Sequence, residues 1–177
     1  MVFSDTGIAG AYVVETERYT DERGFFARVW CADELAALGL TASLAQSSVS
    51  FNRHAGTLRG MHFQQSPHAE AKLVRCIRGA LFDVALDLRT ESPTYLQWHG
   101  VTLDAEHGNG FFIPEGCAHG FQTLVDGTEA IYFISHPYAS AASSGVRWDD
   151  PAFGIEWPSA PERIMSERDR SWPDYFA

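Results

Sequence analysis

Apolar and polar positions along this chain alternate mostly with the two-residue period of extended strands, and the 3.6-residue period of helices is scarce. The clearest case is ALFDVALDLR, where Phe82, Val84, Leu86 and Leu88 fall on one face and Asp83, Ala85 and Asp87 on the other. That pattern predicts a strand with one face in the core and its carboxylates turned to water or to a site. AGAYVVETERY, SLAQSSVSF, GTLRGMHFQ, KLVRCIRG, YLQWHGVTL, GFFIPEG, HGFQTLV and EAIYFIS are further predicted strands. Gly, Pro, Asp and Asn separate them at roughly regular intervals, as in a sandwich or barrel. Two short helices are expected. ADELAALGL, with Gly39 near its end, is the first. SERDRSW is the second: Ser166 and Asp169 have capping-box spacing, and Pro173 limits the length. ASAASSG, 139–145, reads as a small-residue loop.

The 177 residues suit one well-buried domain, 1–177, with a helical tail from about residue 160. A hydrophobic content of 45% beside 20% charge is that of a compact fold rather than a disordered chain. The net charge of -10 argues against a nucleic-acid backbone or an anionic membrane surface as partner. An anionic ligand would therefore need a local basic cluster. Cys31, Cys76 and Cys117 are odd in number and lack a C-x-x-C pair, so reduced, buried and inert thiols are expected. No signal-peptide pattern opens the sequence and no apolar run reaches the ~18 residues of a membrane span, which makes the cytoplasm the expected compartment.

GTLRGMHFQ, residues 56–64, places charge and imidazole inside a predicted strand. Strict alternation would put Leu58, Gly60, His62 and Gln64 on one face and Arg59 with Met61 on the other. Arg59 and His62 can share a pocket only if the strand is distorted, and a bulge or bend at Gly60 is predicted. A strand histidine is more often structural than catalytic, but the setting of His62 beside Arg59 and Lys72 favours chemistry. Lys72 and Arg75 could otherwise be solvated edge charges.

In GNGFFIPEGCAHGFQT, Gly108, Pro114, Gly116 and His119 have the spacing G-x5-P-x-G-x-x-H, which resembles the second motif of the cupin superfamily. The physical content is a turn that hands His119 to the mouth of a barrel. The expected fold is all-β, a cupin-type double-stranded β-helix, or jelly-roll barrel, with few short helices. The first cupin motif supplies H-x-H and a glutamate to a metal; here the corresponding stretch is His62, Phe63 and Gln64, with Lys72 beyond. A carboxamide binds metal poorly beside imidazole and an ammonium repels it, so neither metal nor other cofactor is expected. Neutral imidazole can take a proton near pH 7 and lysine can steady the oxyanion that forms, a combination suited to enolising a ketone.

Through DERGFFARVW, GTLRGMHFQ, KLVRC, FDVALDLR, SPTY, IPEGCAHGF, RWDDPAFGIEWP and SERD, the chain resembles the dTDP-4-dehydrorhamnose 3,5-epimerase family from about residue 20 to residue 173. The resemblance implies epimerisation, next to the ketone, of a 4-keto sugar carried on a nucleoside diphosphate. It implies His62 as base, Asp169 as the carboxylate that orients it, Tyr132 as proton donor on the opposite face and Lys72 as the cation holding the enolate. Arg23, Arg59 and His119 become candidates for the diphosphate, with Gln46, Ser48 and Arg168 among the nucleotide and sugar contacts and Tyr138 stacking on the base. It also implies a homodimer in which the segment of about residues 1–30 carries Arg23 and Phe26 into the neighbour's pocket. Departures fall at Arg28 and near Ser143, where the family usually has glutamate, at Ser48, usually asparagine, and at Arg168, usually lysine. They leave the nucleotide open among dTDP, GDP and CDP, and the reaction open between C3, C5 or both. Two other readings stay in view: a related cupin isomerase or metal-dependent oxygenase, and a sugar-nucleotide binding module without catalysis.

Overall fold

The computed structural model describes residues 1–176. Two large antiparallel sheets face each other, and a short hairpin stands apart from both. Strands β1 (Val2–Asp5), β2 (Tyr12–Glu15), β10 (Gly110–Ile113), β7 (Lys72–Arg78), β12 (Thr128–Ile134) and β5 (Gln46–Asn52) form the first sheet, in that spatial order. The second has the order β13 (Ser143–Gly145), β6 (Leu58–Gln64), β11 (Cys117–Thr123), β8 (Ala80–Asp87) and β9 (Trp98–Asp104). Strands β3 (Arg18–Asp21) and β4 (Gly24–Ala27) make the separate hairpin. The fold is thus all-β, as the pattern predicts, and of the cupin type that the resemblance around His119 implies.

Apolar residues from the facing sides of both sheets meet in the middle. Val74, Phe111, Ile113 and Ala130 come from the first sheet, and Leu81, Ala85, Leu103 and Phe121 from the second. Each sheet also buries its outer side. Met61, Val84, Leu86 and Ala118 lie under Phe153 and Trp157, while Val14, Leu73 and Phe112 pack with Leu35 of helix α1 (Ala32–Ala37). Burial on both sides narrows the reading of β8: its acidic face is turned from water, and at Asp83 it meets His119 of the cavity between the sheets. Asp83 and Asp87 are fully buried, and each persists only because polar partners meet it.

Other expectations change in detail. AGAYVVETERY breaks at Thr16–Glu17, so that β2 and β3 lie in different sheets. YLQWHGVTL becomes strand only from Trp98, and 143–145 of the expected loop pair with β6. Arg75 is no solvated edge charge: it is 3% exposed and donates to the carbonyls of Val29 and Gly108. Cys76 and Cys117 are buried and free, whereas Cys31 is only half-buried. The two helices start where the sequence signals place them, but the expected helical tail from about residue 160 is helical only over Glu167–Arg170. Gly39, at φ +70°, ends α1 with Leu40 N–H returning to Leu35 O. Ser166 caps α2 (Glu167–Arg170) by accepting from Asp169 N–H. The described residues contain no helix long and apolar enough to cross a membrane. Ala177, the last residue of the expected tail, lies outside the described residues.

Candidate active site

The second sheet contributes an imidazole and the first sheet a phenol to one cavity between them. Its volume is about 240 Å³, and Ser48, Arg59, His62, Lys72, His119 and Tyr132 all line it. The distortion that brings Arg59 and His62 together lies where the sequence places it. Gly60 has φ +143°, and the register of β11 against β6 shifts between His119 and Phe121. A Cβ at Gly60 would stand 2.5 Å from Gly120 Cα, so only glycine allows the two backbones this approach. Met61 then faces the outer cluster while Arg59, two positions before it, and His62, the next residue, reach inward.

His62 is half exposed to the cavity, and its Nε2 lies 2.6 Å from Oδ1 of Asp169, the one buried residue of α2. Burial alone would raise the Asp169 pKa, but His62, the Gly60 N–H and the Ser166 hydroxyl outweigh it and hold the carboxyl below its ordinary range. An ionised carboxylate only accepts, so Nε2 carries the hydrogen and Nδ1 carries the lone pair of a neutral ring. Asp169 therefore does two things: its backbone N–H completes a helix cap and its side chain sets a tautomer.

Tyr132 enters from β12, with its hydroxyl 3.2 Å from Ser50 Oγ. Burial pushes the phenol well above its usual range, against the opposing bond from Ser50, so it is protonated at neutral pH. Lys72 Nζ meets Glu70 Oε1 at 2.9 Å, with both side chains largely buried. Arg59 Nε donates to Asn52 Oδ1 at 2.8 Å, which fixes the guanidinium at the cavity wall. His119 joins this cavity as a buried group whose Nε2 is taken by Asp83 at 2.7 Å. Complete burial drives the Asp83 carboxyl up, while His119 pulls it down.

A second cavity of about 250 Å³ adjoins the first through His62, Lys72 and Ile134, and holds Gln46, Gln64, Glu70, His136, Tyr138, Ser143 and Arg168. Arg168 Nη2 donates to Ser143 Oγ at 3.0 Å, so two positions that depart from the family pattern touch. Arg23 and Phe26 do not join either cavity of their own chain. They stand exposed on the β3–β4 hairpin, where Arg23 pairs with Asp21. Arg28 lines neither of these cavities and bonds Glu34 at 2.8 Å.

Residues 5–176 match the family described as dTDP-4-dehydrorhamnose 3,5-epimerase. The chain belongs to the dTDP-4-dehydrorhamnose 3,5-epimerase family. A member from Sinorhizobium fredii, dTDP-4-dehydrorhamnose 3,5-epimerase, is 42% identical over 177 residues, covering 98% of this chain and 89% of that protein. The crystal structure of the Bacillus anthracis epimerase with TDP and PPi bound superposes with TM-score 0.93 at 39% identity, covering 98% of each chain. The Legionella pneumophila family member, solved in complex with dTDP-4-keto-L-rhamnose, gives TM-score 0.89 at 36% identity, over 95% of this chain and 89% of that one. Membership makes this chain an epimerase of the isomerase class.

Asp83, Ser50 and Glu70 are polar groups of the site that the sequence reading did not select. Asp83 carried a signal, an acid opposite the apolar face of β8. Ser50 lies two residues from Ser48, on the same face of β5. Glu70 precedes its strand, and no periodicity marks it.

Proposed function

We propose that this protein epimerises a nucleoside-diphosphate-linked 4-keto-6-deoxy sugar at C3, C5 or both, through an enolate and without a cofactor. The substrate we favour is dTDP-4-dehydro-6-deoxyglucose, with dTDP-4-dehydrorhamnose as product. One observation carries the proposal: a base and an acid arise from opposite sheets and face the same cavity. Inversion requires that arrangement, because the proton leaves from one face of the carbon and another returns to the other. His62 Nδ1 takes the proton beside the ketone, and the electron pair of the C–H bond moves onto the carbonyl oxygen. The Lys72 ammonium steadies that oxyanion. Tyr132 then gives its proton to the opposite face. His62 loses the abstracted proton to solvent and the tyrosinate regains one, so the enzyme returns to its starting state. Each acid or base contributes ~10² to 10⁴ in rate.

Arg59 and Arg168 are the arginines we assign to the diphosphate from within the chain, with His119 behind them. Gln46, Ser48 and Tyr138 complete the sugar and nucleotide contacts. Arg23 and Phe26 act in the pocket of a second copy, which is why they stand clear of their own. We place the protein in the cytoplasm, in keeping with its free thiols.

Incubation with dTDP-4-dehydro-6-deoxyglucose in D2O, followed by NMR, tests the reading. Deuterium at both C3 and C5 with inversion is the expected outcome, and deuterium at C3 alone assigns a mono-epimerase. No incorporation with dTDP-, GDP- or CDP-linked substrates overturns the proposal in favour of binding alone. His62→Asn should abolish exchange with the fold intact.

A further inference from the structure

Gln64 stands at the position where the cupin metal motif has its second histidine, and its carboxamide is committed to two loops. Nε2 donates to His68 O at 2.8 Å and to Pro137 O at 3.3 Å, while Oε1 accepts from Ala139 N–H at 2.6 Å. The side chain is buried, with the residue 6% exposed. Between those contacts lies Tyr138, which is 62% exposed and whose N–H is held by Gln46 Oε1 at 2.9 Å. An aromatic ring that exposed is not positioned by packing. Its backbone is positioned instead, by two carboxamides that clamp consecutive amides.

We infer that Gln64 is a positioning residue for Tyr138: the barrel position that could have served a metal has become a peg for the loop that stacks on the nucleotide base. This rests on the assignment of Tyr138 to the base under the proposed function. All three bonds join backbone groups of 65–68 and 137–139 to a strand of the barrel, so the loop is set before any ligand arrives. Removing them should let Tyr138 sample other positions, and base binding should weaken while phosphate binding does not.

Gln64→Met keeps size and removes every polar contact of the side chain. The expected result is dTDP affinity lower by about tenfold, with inorganic pyrophosphate affinity unchanged. In a Tyr138→Ala background, Gln64→Met should add nothing. Hydrogen exchange of the Tyr138 and Ala139 amides should quicken while amides of β8 stay protected, which separates a loosened loop from a damaged fold. If Gln64→Met does not fold, Gln64→Glu replaces it, retaining the acceptor for Ala139 and losing both donors. Wild-type affinity for dTDP in a folded variant, or equal weakening towards dTDP and pyrophosphate, overturns the inference alone. Failure of the wild type to bind dTDP removes the nucleotide reading and this inference together.

Discussion

Asp169 acts on a single hydrogen atom. Held below the ordinary carboxylate range, it remains an acceptor at every pH at which the enzyme would work, and that fixes which nitrogen of His62 is basic. Asp169→Asn can turn its NH2 towards Nε2 and reverse the tautomer. We expect kcat to fall by ~10² to 10⁴ with KM little changed, measured by steady-state turnover of the dTDP-linked substrate. The sign of the pH effect follows from a depressed pKa. The stability that this pair contributes is complete above the ordinary carboxylate range and is lost as pH falls through the lowered value. Tyr132→Phe makes a different prediction, because His62 is left intact. Solvent deuterium should still enter beside the ketone, but inversion should stop, and NMR reads both at once. Inversion at the wild-type rate would remove Tyr132 from the donor role.

At the scale of elements, what could be read from the sequence divides by the range of the forces involved. Local rules carried far: the Gly39 helix stop, the Ser166 cap and the distortion at Gly60 all follow from residues within a few positions of one another. The Gly60 distortion is testable by Gly60→Ala, which meets both a φ of +143° and a Gly120 backbone 2.5 Å away. A loss of about 3 kcal/mol is expected in urea unfolding. Long-range burial was less legible. The β8 pattern shows an apolar and an acidic face, and only the second layer of packing shows that both faces are covered. Asp87 illustrates what that covering entails. Although burial opposes its ionisation, Arg89, Ser92 and Thr94 hold its pKa at about 2. A carboxyl shifted from ~4 to that value contributes about 2.5 kcal/mol at neutral pH. Asp87→Asn should lose that amount at pH 7, and the gap to wild type should close as pH falls from the ordinary carboxylate range towards 2. Glu70 was illegible for a related reason, since its partner Lys72 is set by the fold and not by spacing alone.

The whole molecule shows apolar surface without cover. Tyr19, Phe25 and Phe26 are 70%, 58% and 74% exposed on one hairpin, and Val49 and Phe51 are exposed on the edge strand β5. Rings so placed are characteristic of contact surfaces. Sedimentation should show a dimer, and a sharper test mixes two inactive proteins. On the proposed mechanism His62→Asn lacks a base but keeps a sound hairpin, whereas Arg23→Ala has the reverse. If the hairpin serves the neighbour, mixed dimers regain activity in one of their two sites; if it serves its own chain, mixing restores nothing.

Chain order gives the Asp169 contact a timing. Every strand of the two large sheets comes before residue 146, and Asp169 arrives on a segment read out afterwards. A nascent barrel can therefore close around its cavity while His62 is still free to turn its ring and present the wrong nitrogen. Competence is conferred late in synthesis, when that segment docks and brings the Asp169 carboxylate against the ring.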